Sequence, residues 1–151
     1  MAATADSPLL TNERSAIGAL LSEFYWRLDH PGSGTVADLF TEAGTIVTPR
    51  FELAGRAAIA QWFAARAQRT TRHRWSNLRL TRAADRSVAV DAYLSTAAAP
   101  ASAAASAAAE VMISETRDIV VRDEEGAWQF AARKLSVVFE GRLSAGGAHA
   151  P

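Results

Sequence analysis

Residues 70–80, TTRHRWSNLRL, mark the point at which the chain stops reading as helix and starts reading as sheet. One side-chain parity carries His73, Trp75 and Asn77, and the other carries Arg72, Arg74, Leu78 and Leu80. A strand with one buried face keeps its apolar residues on a single parity, because side chains alternate across the sheet. Here the apolar set changes parity after Trp75. The change requires either a β-bulge near Asn77 or a sheet covered on both faces, and the bulge is the simpler solution.

Downstream of this stretch the alternation continues, and strands are expected at 71–82, 86–97, 110–122 and 127–140, joined as hairpins. EEGAW (124–128) supplies a glycine turn between the last two. The segment TAAAPASAAASAAAE (96–110) is of low complexity. Alanine favours helix, but Pro100 and the serines interrupt it and strands flank it. A long hairpin loop over 97–109 is expected, with a lid over a pocket as its functional alternative.

Upstream the period is helical. In residues 12–29, Ile17, Leu20, Leu21, Phe24 and Leu28 share one face, Thr11 is the expected N-cap, and Pro31 and Gly32 stop the helix. A short helix at 35–40 and two short strands, GTIVTP (44–49) and RFEL (50–53), should follow. A further helix, GRAAIAQWFAARAQR (55–69), turns Ile59, Trp62 and Phe63 to one side. Helices first and a strand meander second give an α+β fold. A curved antiparallel sheet wraps the helices as a cone whose open end is a natural pocket.

The 151 residues suffice for one domain, expected over 12–141, with a flexible start (1–11) and a disordered tail (142–151) that carries His149. Sixteen acidic and sixteen basic residues cancel, which argues against a general role on nucleic acid or anionic membrane despite the arginines around Trp75. No cysteine is present, and His30, His73 and His149 are too scattered for a zinc site. Chemistry without metal or cofactor is therefore expected. The N-terminus lacks the basic and apolar regions of a signal peptide, and no apolar run approaches about 18 residues, so a soluble cytoplasmic protein is expected. Phosphate-binding, nucleophile-elbow and dinucleotide fingerprints are absent as well.

The chemistry-bearing candidates are few. Asp29 sits one turn beyond Tyr25 on the flank of the apolar stripe, so both point to the edge of the core. Asp29 either satisfies its own helix end or faces a pocket. His73 can move protons near neutrality, and a carboxylate beside it would fix its tautomer and stabilise the imidazolium. Asn77 and Tyr25 are candidate hydrogen-bonding partners of a substrate oxygen. Trp62, Phe63, Phe40 and Trp75 are candidate apolar walls, and Phe51 is another aromatic in reach. Arg117, Asp118 and Arg133 fall on neighbouring strands and read as a structural cross-strand ion cluster. Trp26 falls opposite the apolar stripe and must be exposed or covered by something outside the monomer core.

The order FYWRLDHPGSGTVADLFTEAGTIVTP (24–49), LAGRAAIAQWFAAR (53–66), TRHRWSNLRL (71–80) and GAWQFAARKLSVVF (126–139) resembles the SnoaL-like branch of the nuclear transport factor 2-like superfamily over residues 12–140. That resemblance implies a cone-shaped, cystatin-like α+β barrel, usually a homodimer, enclosing a hydrophobic pocket for a small hydrophobic ligand. Relatives include polyketide cyclases, ketosteroid isomerase, limonene epoxide hydrolase, scytalone dehydratase and bile-acid dehydratases, with many non-enzymes. By resemblance, Asp29 and His73 match the helix-end aspartate and strand histidine of the dehydratase-like members. Scytalone dehydratase's second pocket histidine has no counterpart in EVMISETRDIVV (110–121). Two functions follow as expectations: acid–base catalysis of dehydration, isomerisation or cyclisation by Asp29 and His73, or a non-catalytic ligand-binding or dimerisation module.

Overall fold

The computed structural model describes residues 11–104 and 108–143. Helix α1 (Thr11–Asp29) contains Thr11, expected as its N-cap, and buries Ile17, Leu20, Leu21, Phe24 and Tyr25. A single 3₁₀ turn (Val36–Leu39) leads into β1 (Phe40–Val47) and β2 (Glu52–Ala54). Helix α2 (Arg56–Ala65) ends four residues earlier than its helical pattern suggests, because Arg69 is already paired in a strand. Four long strands complete the chain: β3 (Arg69–Arg82), β4 (Val88–Pro100), β5 (Ala109–Arg122) and β6 (Trp128–Leu143).

The six strands form one sheet in the order β2-β1-β6-β5-β4-β3. Its hairpins are antiparallel, as expected, but β1 runs parallel to β6. No hairpin constrains that pair: the chain between them crosses α2 and four strands, so either direction is open to it. Ala97–Pro100, expected in a loop, belong to β4. Ala97 and Ala98 pair with Arg72 and Thr71 on one side and with Val111 and Glu110 on the other. Hydrogen-bonding edges on both flanks override the helix preference of alanine. The lid reading falls partly on residues 105–107 and the flexible ends fall on 1–10 and 144–151, outside the described residues.

The parity change in β3 is resolved by a bulge. The register slips between Ser76 and Arg79, and Asn77 adopts the left-handed conformation at φ 56°. Thr71, His73 and Trp75 face inward before the slip, and Leu78 and Leu80 after it. The bulge is pinned from α1, whose Arg14 donates to the Leu78 carbonyl at 2.7 Å. Further register shifts lie between Ile113 and Ser114, between Ile119 and Val120, and in β1 between Phe40 and Thr45. Each adds bend and twist, so the sheet curls around α1. Ile17, Leu21, Phe40, Ile59, Val90, Val120 and Phe130 fill the closed end of the cone. At the other end α1 stops and the sheet continues, which leaves a space.

The convex face carries exposed Tyr93, Ile113 and Phe139, the last two directly paired across β5 and β6. Trp26 is exposed on α1 and stacks on His30 at 3.8 Å. Among the described residues no helix is long and apolar enough to cross a membrane.

The bulge makes Asn77 a test of the fold. A β-branched residue is strained in the left-handed region, so Asn77→Val should destabilise the protein by about 1–2 kcal/mol while Asn77→Gly stays close to wild type. Urea unfolding of the two variants checks this.

Candidate active site

Asp29 is the last residue of α1, and its side chain reaches across to β3 instead of folding back on its own helix. One carboxylate oxygen accepts from Thr71 Oγ1 at 2.8 Å and contacts His73 Nδ1 at 2.6 Å, and the other accepts from the His73 backbone N–H at 2.8 Å. The two side chains are 6% and 11% exposed, so water competes little for these bonds. A carboxylate on Nδ1 requires the proton there. Nε2 is left as the lone-pair nitrogen, with no partner among the described residues.

Burial lowers the pKa of His73 from its ordinary 6.5, against the opposing pull of the Asp29 hydrogen bond and charge, and Arg66 and Arg133 lower it further. The imidazole is therefore neutral at neutral pH, in the state needed to accept a proton. Its ring lies nearly parallel to that of Tyr25, with centroids 5.3 Å apart.

Beside this pair is a second polar group, whose residues Asp118 and Arg133 read from the sequence as a structural ion cluster. Arg133 on β6 donates two bonds to Asp118 on β5, from Nε at 3.0 Å and from Nη2 at 2.9 Å, and Nη2 also donates to Tyr25 Oη at 2.9 Å. The guanidinium packs on Phe24 at 4.0 Å and Phe130 at 4.4 Å. Arg117, expected in the same cluster, instead pairs with Asp91 at 2.7 Å. Burial raises the pKa of Tyr25 above its ordinary value, with Arg133 pulling the other way, so the phenol stays neutral. Because arginine can only donate, the Tyr25 hydroxyl hydrogen remains available for another acceptor. Arg133 Nη1 is buried with no hydrogen-bond partner. Such a donor is costly to leave unmet.

His73, Tyr25, Asp118 and Arg133 all line one cavity of about 570 Å³. Trp62 and Phe63 from α2 and Phe51 form apolar parts of its wall. Three other candidates lie elsewhere. Phe40 is fully buried in the core against Phe24 and Phe130, because β1 enters the sheet at that residue. Trp75 packs on α1 and donates Nε1 to Ser22 Oγ at 3.2 Å, being too far along β3 to reach the open end. Asn77 is exposed at the bulge and does not line this cavity, since its left-handed backbone turns the side chain out.

The sequence held a signal for the missed group. Asp118 shares its parity on β5 with the buried Ser114, Thr116 and Val120, an unusual place for a carboxylate without a partner. The inward turn of Arg133 was not readable, because Phe130 and Arg133 have opposite parities and only the slip near Ala131 brings both inside. Among the described residues no group of three or more acidic, histidine or cysteine side chains is arranged to hold a metal ion.

A family model described as SnoaL-like domain matches residues 10–134. Solved structures agree in fold. ActVI-ORFA from Streptomyces coelicolor is 20% identical with a TM-score of 0.71, over 84% of this chain and 98% of that one. A protein of unknown function with a cystatin-like fold from Nostoc punctiforme is 20% identical with a TM-score of 0.70, over 87% and 96%. The type 3 hexachlorocyclohexane dehydrochlorinase LinA from Novosphingobium barchaimii is 15% identical with a TM-score of 0.74, over 93% and 96%. No curated protein matches the sequence.

The buried ion pair makes a stability prediction. Asp118→Leu alone strands the Arg133 charge and should cost about 3–5 kcal/mol, whereas Asp118→Leu combined with Arg133→Met should recover much of that loss. Denaturant unfolding of both variants measures it.

Proposed function

The chain belongs to the SnoaL-like domain family, and from that premise we propose that it is an acid–base enzyme acting on a small hydrophobic cyclic molecule, with Asp29 and His73 as its working pair. One observation carries the reading: His73 is held by Asp29 through Nδ1 with Nε2 left free, and its ring lines an apolar cavity that is also lined by Arg133, a buried guanidinium whose Nη1 has no partner. A binding module needs the cavity, but it gains nothing from a histidine held neutral with its lone pair uncommitted.

In this reading His73 Nε2 removes a proton from a carbon next to a carbonyl. The electron pair moves onto the carbonyl oxygen, where Arg133 Nη1–H and the Tyr25 hydroxyl meet the developing charge. Collapse of that enolate either expels a β-hydroxyl, which leaves as water with the proton from His73, or, where a β,γ double bond extends it to a dienolate, takes the proton back at the γ-carbon. The first outcome is a dehydration and the second an isomerisation. Attack of the same carbanion on a second carbonyl carbon, whose π pair moves to oxygen and takes the proton from His73, would be a cyclisation. Asp29 stabilises the transient imidazolium and holds the ring in register, and the apolar walls orient the substrate.

We also propose a homodimer in which a second copy covers the convex face. Phe139 is 69% exposed there beside Ile113, an apolar surface that a monomer would leave in water. Phe139→Asp should then shift the protein to a monomeric mass in sedimentation analysis, with wild type sedimenting as a dimer at micromolar concentration.

Solvent hydrogen–deuterium exchange at the α-carbon of a cyclic aryl ketone such as 2-tetralone, followed by NMR, tests the chemistry without the natural substrate. Wild type should accelerate exchange, and His73→Ala should lose about 10²–10⁴-fold of that acceleration with the fold unchanged by circular dichroism. Equal exchange in the variant would remove His73 from the mechanism. The pH dependence has a defined sign. Protonation abolishes the base and the folded pKa of His73 lies below 6.5, so activity should rise with pH through an inflection below 6.5 and be level at neutrality. An inflection above 6.5 would contradict this.

A further inference from the structure

Arg66 follows the last residue of α2 and is half-buried. Its guanidinium sits 5.7 Å from the Phe63 ring, and among the described residues no carboxylate lies within ion-pair distance of it. Neighbouring arginines are matched: Arg27 to Glu23 and Arg69 to Glu110, both at 2.7 Å, and Arg133 to Asp118 at 2.9 Å. A cation drawn partly out of water without a counter-charge is unfavourable. The partial negative charge at the end of α2 offsets part of that cost. It does not explain why so long a side chain lies along a cavity wall when it could extend into solvent.

The position of Arg66 is the informative part. It lines the apolar cavity and also a second cleft of about 310 Å³ beside it, and Leu28, Phe63, Ala67 and Arg69 belong to both walls. The cavity therefore has two chemically different ends. The buried end holds His73, Tyr25 and Arg133, and the rim holds one unmatched guanidinium. The two ends are within electrostatic reach, since the charge of Arg66 acts on His73 and that of Asp29 on Arg66.

Resting on the reading of this cavity as the substrate site, we propose that its ligand is an amphiphilic acid, with an apolar ring body against Phe51, Trp62 and Phe63 and a carboxylate docked on Arg66. A carboxylate matches the planar fork of a guanidinium with two parallel bonds. Lys134 also lines the cavity without an ion pair among the described residues, but it is absent from the wall that Arg66 shares with the second cleft, so the group docked on Arg66 meets a single guanidinium fork, which suits a carboxylate. Arg66 is then a residue of specificity: it selects among apolar molecules by the charge at one end and sets which carbon lies under His73.

Isothermal titration of 2-naphthoate and 2-naphthamide, which share a skeleton and differ in charge, tests this on the full chain at low ionic strength. Wild type should bind the acid about tenfold more tightly than the amide. Arg66→Gln should erase that preference, the acid losing far more affinity than the amide, and Arg74→Gln, an equal charge change on the exposed face of β3, should preserve it. The preference should also shrink in high salt. A preference that survives Arg66→Gln, or equal binding of the two probes to wild type, overturns the inference while leaving the cavity as a binding site. Binding of neither probe overturns the inference and the cavity reading together.

Discussion

The carboxylate of Asp29 holds the open end of this fold together. It sits where α1 is cut off by HPGSG, and it accepts bonds from Thr71 and from the backbone and ring of His73, all on β3. The same contact therefore does two things. It ties the free end of α1 to the edge strand of the sheet, and it fixes the tautomer and orientation of the histidine that lines the cavity. The geometry that would serve catalysis is thus also part of what positions the helix, and neither element could shift without the other.

Everything else needed for the site follows from how the sheet is bent. A flat six-stranded sheet would pack its inner face evenly on α1 and leave no room. Bulges at Asn77, near Ala131 and near Val138 break the register and curl β3, β5 and β6, so the closed end fills with Phe40, Phe130 and Ile59 while the other end stays open. The slip near Ala131 has a further effect, because it turns Arg133 inward. That places a buried guanidinium between Asp118 and Tyr25 with one nitrogen unmatched. Such an arrangement is hard to justify as a stabilising device, since burial of the pair costs much of what its attraction returns. It is easier to understand as a donor kept ready for an oxygen that arrives with a ligand.

How much of this could be read from the chain depends on whether the signal was local. The apolar face of α1, the stop after Asp29 and the alternation of the long strands are properties of neighbouring residues, and each was legible. The bulge in β3 was legible for the same reason: a parity change among Trp75, Asn77, Leu78 and Leu80 needs a bulge unless the sheet is covered on both faces. The nearness of Asp29 and His73 could be framed from helix phase and strand parity, but only the packing of α1 on β3 brings them to 2.6 Å. Non-local features were not legible. The parallel pairing of β1 with β6, the strand character of Ala97–Pro100 and the inward turn of Arg133 all depend on which strands become neighbours. Trp75 and Phe40 look like pocket walls by residue type, and their distance from the open end is set by the tertiary fold alone.

The central claim is that His73 presents an unprotonated Nε2 to the cavity because Asp29 holds the proton on Nδ1. Nitrogen-15 NMR of the histidine side chains reads this directly, with the His73→Ala variant assigning the resonance. At neutral pH the account predicts a protonated, pyrrole-type Nδ1 and an unprotonated, pyridine-type Nε2, and Asp29→Asn should disturb that pattern. A doubly protonated ring at neutral pH, or the proton resident on Nε2, would contradict it.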